Sequence, residues 1–410
     1  MLPNASMLNL TVRSILCMIG SRNKFELADV VRKFGKQLIQ QENLSPWQIK
    51  VLYNILQCRT TSLGGHEEAC DHCGVIRYSY NSCRDRHCPK CQVTKQALWT
   101  EDLLQATLPV KHYHIIFTLP HCLNDICLWD QRLYYNMFFS AVWRTLHSFG
   151  YTHYGVESGA VAILHSWGSN LSLHPHIHCI VPAAGYSLQG QWKHIGKNTH
   201  YLYPVHQLSD TFQGKFLDSL KRKLGKKGMP DAFSDNIEKA YKSRWNVFSQ
   251  ASWSGPQHVI GYLGQYIHRV AIANHRILNI TDTHVTFISK DYRDRAATKP
   301  VTLSGVEFLR RFCMHVFPKR FVRIRRYGIY NSTTIRGLDL QFAPENKPDI
   351  EQLTSPGEKE TNLDRIKRLT GFDMGLCPVC KKGRMHVNHE IPRIRSPSAH
   401  LPTMLLAQLY

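Results

Sequence analysis

Apolar residues recur at helical spacing at the start of this chain. Leu27, Val30, Val31, Phe34, Leu38 and Ile39 fall on one face of a 3.6-residue period, which predicts an amphipathic helix within residues 26–60. A second helix is expected after Ser45-Pro46, because serine caps a helix and proline suits its first turn. The pattern then changes. Long apolar runs give way to cysteines up to about residue 95, as in a small module held by metal rather than by a core. HYHIIFTLP (112–120) reads as a strand, and the aromatic stretch 129–149 as a buried helix. GAVAILHSWG (159–168) and HIHCIVPAAG (176–185) read as two strands joined by SNLSLHP. Residues 186–204 are aromatic and turn-rich, and a basic helix is expected over 207–224 with KKGMPD as its breaker. PQHVIGYLGQYIHRVAI (256–272) fits a helix, ILNIT and HVTFIS a hairpin, and SGVEFLRRFCMHV (304–316) a further helix. Residues 343–365 have linker composition, and there is no internal repeat.

Composition narrows the partner. The chain has 410 residues, enough for two or three domains, and a hydrophobic fraction of 43% that supports real cores. Its net charge of +21 favours a polyanionic partner, and nucleic acid is the natural one. The basic residues are scattered rather than set on one amphipathic helix, which argues against a membrane surface. No run of roughly 18 apolar residues exists, so no transmembrane helix is expected. The N-terminal stretch lacks a basic region and a clean cleavage site, so it does not read as a signal peptide.

The 13 cysteines include C-x2-C pairs, which read as metal ligands in a reducing compartment. Between Cys70 and Cys91 the chain reads C-x2-C-x9-C-x3-H-C-x2-C. Zinc takes four tetrahedral thiolate or imidazole ligands, so Cys70, Cys73, Cys88 and Cys91 are expected to form one site. His66, Cys83 and His87 are left over, as parts of a second zinc site, as substitutes for one of the four, or as residues without a metal role. Arg77, Arg84, Arg86, Lys90 and Lys95 flank the knuckles and suit either phosphate contacts or an ordinary solvated surface. Near the C-terminus, Cys377 and Cys380 precede His386 and His389 as C-x2-C-x5-H-x2-H, a spacing that fits a small zinc knuckle or an unmetallated tail.

A second kind of chemistry follows. In a strand, residues i and i+2 point the same way, so His176 and His178 present two imidazoles together. His165, on the preceding strand, can join them across a hairpin to make three nitrogen ligands. Tyr262 and Tyr266 are four apart on an expected helix and face one side. Tyrosine can attack a phosphodiester when a metal or cation polarises the phosphate. Taken alone, each pair also fits packing roles.

The order of these motifs resembles the rolling-circle transposases of insertion-sequence family 91, within the HUH endonuclease superfamily. The resemblance is carried by YNSCRDRHCPKCQ (80–92), FTLPH (117–121), LHSWGSNLSLHPHIHCIVPAAG (164–185), GYLGQYIHRVAIANHRI (261–277) and FPKRFVRIRRYG (317–328). It implies an α+β fold with a ferredoxin-like HUH nuclease core, an antiparallel sheet with packed helices, preceded by a helical, zinc-binding module. The implied division is an extension over 1–25, a DNA-binding domain over 26–100, the nuclease over 110–330, and a linker and tail over 331–410. The resemblance implies Mg2+ or Mn2+ on His176 and His178, with His165 as the third ligand, and Tyr262 and Tyr266 as nucleophiles that form 5′-phosphotyrosine. Structural Zn2+ is the second implied cofactor. The implied partners are single- and double-stranded DNA at element ends and target, and the setting is the bacterial cytoplasm at the nucleoid. Arg269, Lys319, Arg320, Arg323, Arg325 and Arg326 are candidate DNA contacts. A plasmid replication initiator or relaxase shares the histidine pair and the tyrosines, though the zinc module and the motifs favour the transposase, and a non-catalytic zinc DNA-binding protein is the reading from another class.

Overall fold

The computed structural model describes residues 24–91, 98, 101–102, 108, 110–196, 200–228, 230–251, 270–291, 294, 297–331, 360–371 and 373–394. Two helices open the described chain, α1 (Leu27–Gln41) and α2 (Pro46–Gln57). The Ser45 side chain accepts from the Gln48 backbone N–H, and the Gln48 side chain returns to the Ser45 backbone. This reciprocal cap, with Pro46 in the first turn, explains why α2 starts where it does. Two short strands follow, β1 (Gly65–Cys70) and β2 (Ile76–Tyr80).

The central core runs β3 (His112–Thr118), α3 (Asn124–Trp129), α4 (Gln131–Phe149), β4 (Val156–Glu157), β5 (Gly159–Trp167) and β6 (Leu173–Pro182). It continues through β7 (Ala184–Ser187), β8 (Trp192–His194), α5 (Val205–Lys227), α6 (Ala232–Lys242) and β9 (Asn246–Ala251). Stripped to its main elements this is β3-α4-β5-β6-α5-β9, the βαββαβ order of ferredoxin-like folds. The strands lie β5-β6-β3-β9, all pairs antiparallel, and β13 (Ile324–Gly328) extends the sheet beside β5. The expected α+β architecture with an antiparallel, ferredoxin-like core is therefore present.

Strand periodicity decides which face is covered. Tyr113, Ile115 and Phe117 of β3, Ala160, Ala162 and Leu164 of β5, and Ile177, Cys179 and Val181 of β6 all join one hydrophobic cluster with α4 and α5. Phe117 meets Phe212 edge-on at 5.0 Å, and Phe138 of α4 lies 5.7 Å from the same ring. Residues of the other parity point to the opposite face of the sheet, and that face carries the histidines.

A second cluster joins α1 and α2 to β10 (Ile277–Ile280), β11 (His284–Asp291), β12 (Ala297–Ser304) and α7 (Gly305–Met314). Phe34 of α1 packs so closely on Gly305 that a Cβ there would stand 2.2 Å from the ring. Leu27 N–H donates to Asn274 Oδ1 at 3.0 Å. The N-terminal helices thus share a core with residues 271–316.

The strands β9 and β12 have no counterpart among the expected elements. Neither do the C-terminal α8 (Asn362–Thr370), which overlaps the expected linker, and β14 (Met385–Ile391). The expected helix over 256–272 falls mostly outside the described residues. Among the described residues, no helix is long and apolar enough to cross a membrane.

Candidate metal centres

Three histidines meet on the sheet face opposite the helices. His165 of β5 pairs directly with His176 of β6, and His178 follows two residues later on the same side. One ligand atom from each lies within 4.8 Å of the others. The ring centroids of His165 and His178 are 4.7 Å apart, and those of His176 and His178 are 4.9 Å apart. A bulge shapes this corner. Between the pairs His165–His176 and Trp167–Leu173, β5 has one residue and β6 has two, His174 and Pro175. Pro175 lacks an N–H, and a bulge is where a strand tolerates that loss. The strand therefore starts at Leu173, earlier than the proline suggested.

Hydrogen bonds fix the ring orientations. His176 Nδ1 donates to the His174 carbonyl at 2.8 Å, and His178 Nδ1 lies 2.9 Å from His114 Nε2. With Nδ1 engaged on both, Nε2 is left as the ligand atom. Burial holds His176 neutral, with its pKa lowered to about 4. Burial also lowers that of His178, to about 2, with the adjoining imidazoles of His176 and His114 adding to the effect. Neutral imidazole is the form that binds a metal, so no proton has to be displaced at neutral pH.

His114 was not singled out in the sequence. It sits on β3, next to β6, stacked on His178 with centroids 5.1 Å apart, and burial lowers its pKa to about 4. Partners of this kind orient a metal-binding imidazole and tune its basicity. Replacing His114 with alanine is expected to weaken divalent-metal binding by ~10–100-fold. Titrating Mn2+ by electron paramagnetic resonance measures this. If His114 acts only by positioning His178, saturating metal restores turnover, whereas an unchanged affinity would show that His114 has no such role.

The cysteines assemble differently from the expected single site. Cys70 and Cys73 do not meet Cys88 and Cys91. The fold instead gathers Cys58, Cys83, Cys88 and Cys91 into one group, and Cys70, Cys73, Cys377 and Cys380 into another. In the first group, Cys91 Sγ is 3.4 Å from Cys58 Sγ and 3.6 Å from Cys83 Sγ. Four sulfurs at about 2.3 Å from a tetrahedral zinc ion stand about 3.8 Å apart, so the group fits zinc with slight expansion. Cys58 caps α2, and Cys58, Cys88 and Cys91 are buried within the second hydrophobic cluster.

The leftover histidines are placed elsewhere. His87 N–H and Nδ1 both face Asp85 Oδ1 at 2.9 Å, and its Nε2 accepts from the Phe317 N–H at 3.2 Å. Both ring nitrogens are occupied, so His87 does not replace a cysteine. His66 lies on β1 outside both groups. His386 and His389 do not complete a C-terminal knuckle, because His386 Nε2 is 3.2 Å from Asp71 and His389 Nδ1 is 3.5 Å from Glu67.

Among the candidate DNA contacts, Lys319, Arg320 and Arg326 are exposed. Arg323 is 8% exposed, and burial lowers its pKa to about 10, so it is a core residue rather than a surface contact. Arg325 lies over the Phe139 ring at 4.1 Å and donates to Asn136 Oδ1. Of the basic residues flanking the knuckles, Arg86 donates to the Pro318 and Phe321 carbonyls, Arg77 pairs with Glu68, and Lys90 pairs with Glu26. Tyr262, Tyr266 and Arg269 lie outside the described residues.

Residues 159–336 match a family described as "Putative transposase", and residues 30–119 match one described as "Transposase zinc-binding domain". The chain is 39% identical over 386 residues to "Putative transposase y4qJ" of Sinorhizobium fredii, covering 89% of this chain and 95% of that protein. It is 25% identical over 382 residues to the transposase for insertion sequence element IS801 of Pseudomonas savastanoi pv. phaseolicola, covering 91% of each. No solved structure matches it.

Proposed function

Because the chain belongs to the transposases of insertion-sequence family 91, we propose that it cleaves and rejoins single-stranded DNA at the ends of a mobile element by rolling-circle transposition. The reading rests chiefly on one observation, the His165, His176 and His178 cluster on the sheet face opposite the helices. Three neutral imidazoles fit a divalent first-row ion. Mg2+ keeps to oxygen ligands, whereas first-row transition ions also accept nitrogen; Mn2+, the weakest binder of that series, therefore still fits this set better than Mg2+. When bound, such an ion polarises an oxygen of the scissile phosphate and orients it.

The chain's own residues supply the rest. His165, His176 and His178 hold the site, and His114 keeps the His178 ring in place. Tyr262 and Tyr266 serve as the nucleophiles. The phenolic oxygen of one attacks phosphorus while the bond from phosphorus to the 3′ oxygen breaks. The phenol loses its proton and the departing 3′ oxygen gains one, leaving a 5′-phosphotyrosine and a free 3′-OH. A later attack by a 3′-OH reverses the linkage and joins strands, so no nucleotide cofactor is consumed. The second tyrosine serves the other cleavage. Lys319, Arg320 and Arg326 contact the DNA backbone, and the zinc-binding module reads the element end.

Peptide mapping of a trapped protein–DNA adduct tests the nucleophile assignment. The cross-linked peptide is expected to contain Tyr262 or Tyr266, and the Tyr262→Phe/Tyr266→Phe double variant is expected to form no adduct. An adduct on any other residue, or one that persists in the double variant, would refute it.

A further inference from the structure

We propose that Cys70, Cys73, Cys377 and Cys380 bind a second zinc ion, which fastens the C-terminal strand to the N-terminal module. Half of this site lies outside both matched regions, which span residues 30–119 and 159–336. The two knuckles are separated by 304 residues between Cys73 and Cys377, yet their sulfurs are 3.8 Å apart. Cys70 Sγ and Cys380 Sγ are 3.7 Å apart. Both values match the separation of about 3.8 Å for thiolates around tetrahedral zinc, and both are far too long for a disulfide of about 2.05 Å.

The surroundings are those of thiolate ligands. The His72 N–H donates to Cys70 Sγ and the Gly383 N–H to Cys380 Sγ, each at 3.4 Å. Such bonds favour the charged sulfur and orient it. The two turns also clasp each other directly. Asp71 N–H donates to the Arg384 carbonyl at 3.1 Å, and Arg384 N–H donates to Asp71 Oδ1 at 2.7 Å. Gly383 sits so tightly against the first knuckle that a Cβ would lie 2.6 Å from Cys70 Sγ.

Burial does not hold this sheet together. β14 pairs with β1, and β1 with β2, but among the described residues none of 65–80 or 385–391 belongs to either hydrophobic cluster. Ile76, Tyr78 and Val387 are more than half exposed. A three-stranded sheet without a core needs another source of stability, and closing a loop of this length by metal supplies it. The ion pairs of Arg365 and Arg368 on α8 with Glu101 are a second, weaker tie between the tail and the N-terminal half. The tail is therefore a structural part of the zinc-binding module, delivered from the far end of the chain.

Zinc content of the full-length protein, purified under reducing conditions, tests this. Two zinc ions per chain are expected, falling to one in C377S/C380S. C70S/C73S should lose the same ion, and combining the four substitutions should remove no more. Amide exchange over residues 385–391 should rise in C377S/C380S while that of β5 and β6 stays unchanged. If a variant does not fold, Co2+ substitution of the wild type decides: two all-thiolate ions support the proposal and one overturns it. Two zinc ions retained in C377S/C380S, one zinc ion in the wild type, or a disulfide joining the two knuckles in the reduced preparation would each overturn it.

Discussion

Replacing His176 and His178 together with alanine is expected to lower single-stranded DNA cleavage by about a thousandfold. Polarisation of a phosphoryl oxygen by a bound metal is worth several kcal/mol, and each ~1.4 kcal/mol is a factor of ten in rate. The two rings supply two of the three nitrogens of the cluster, and the one imidazole left is too few ligands to fix a first-row ion. Both side chains point away from the cluster formed by Ile177, Cys179 and Val181, so the helix-covered core keeps its contacts. Single-turnover cleavage measures the effect, and thermal melting checks that the fold persists. The volume-conserving His178→Gln should show a similar defect with less risk of leaving a cavity. A double-alanine variant that melts normally and keeps more than a tenth of the activity would remove this cluster from the mechanism.

Replacing Cys88 with serine should have the largest structural effect. Cys88 is 1% exposed and groups with Cys58, Cys83 and Cys91; Cys58, Cys88 and Cys91 lie inside the cluster that also contains Val31, Phe34 and Phe308, and Cys83 packs against it. A structural zinc ion contributes about 10–16 kcal/mol to small metal-bound modules, comparable to the whole stability of a typical domain. Losing it leaves three thiols without a metal in an apolar core shared with α7. The expected outcome is loss of zinc from this site together with collapse of soluble yield. Any residual soluble protein should have lost its near-ultraviolet circular dichroism. The contrast with the C-terminal knuckle is informative. Its sheet lies outside both clusters, so removing Cys377 and Cys380 should free β14 and leave the two cores standing. A soluble Cys88→Ser protein with unchanged zinc content would contradict this account.

The five-stranded sheet was legible because strand alternation is a local signal. The stretch from His176 to Val181 alternates histidine or isoleucine with Ile177, Cys179 and Val181, and the structure buries that second set against α4 and α5. His165 was legible for the same reason, since a hairpin of that length brings it opposite His176. The cysteine grouping was not. Closeness in sequence pairs Cys70/Cys73 with Cys88/Cys91, but ligand sets are closed by tertiary approach, and Cys377 reaches Cys73 from 304 residues away. Cys58 carries no local mark, because it follows a helix end and has no C-x2-C partner. His87 did carry one. Asp85 stands two residues before it and holds its Nδ1, as a nearby carboxylate can. Burial also divides the basic stretch near residue 320: Phe321 and Arg323 are buried, whereas Val322 and Arg326 are exposed. His114 was hidden because only pairing between β3 and β6 puts it beside His178.

The central claim is that the three-histidine cluster supports metal-dependent tyrosine cleavage of DNA. Denaturing gels of the full-length protein with single-stranded DNA carrying its element end test it most directly, run with Mn2+ and with EDTA. The account predicts a covalent adduct that forms with Mn2+, is absent with EDTA, and disappears in the His176→Ala/His178→Ala variant. An adduct that forms equally well in EDTA or in that variant, or no adduct when the DNA is bound and Mn2+ is present, would contradict it.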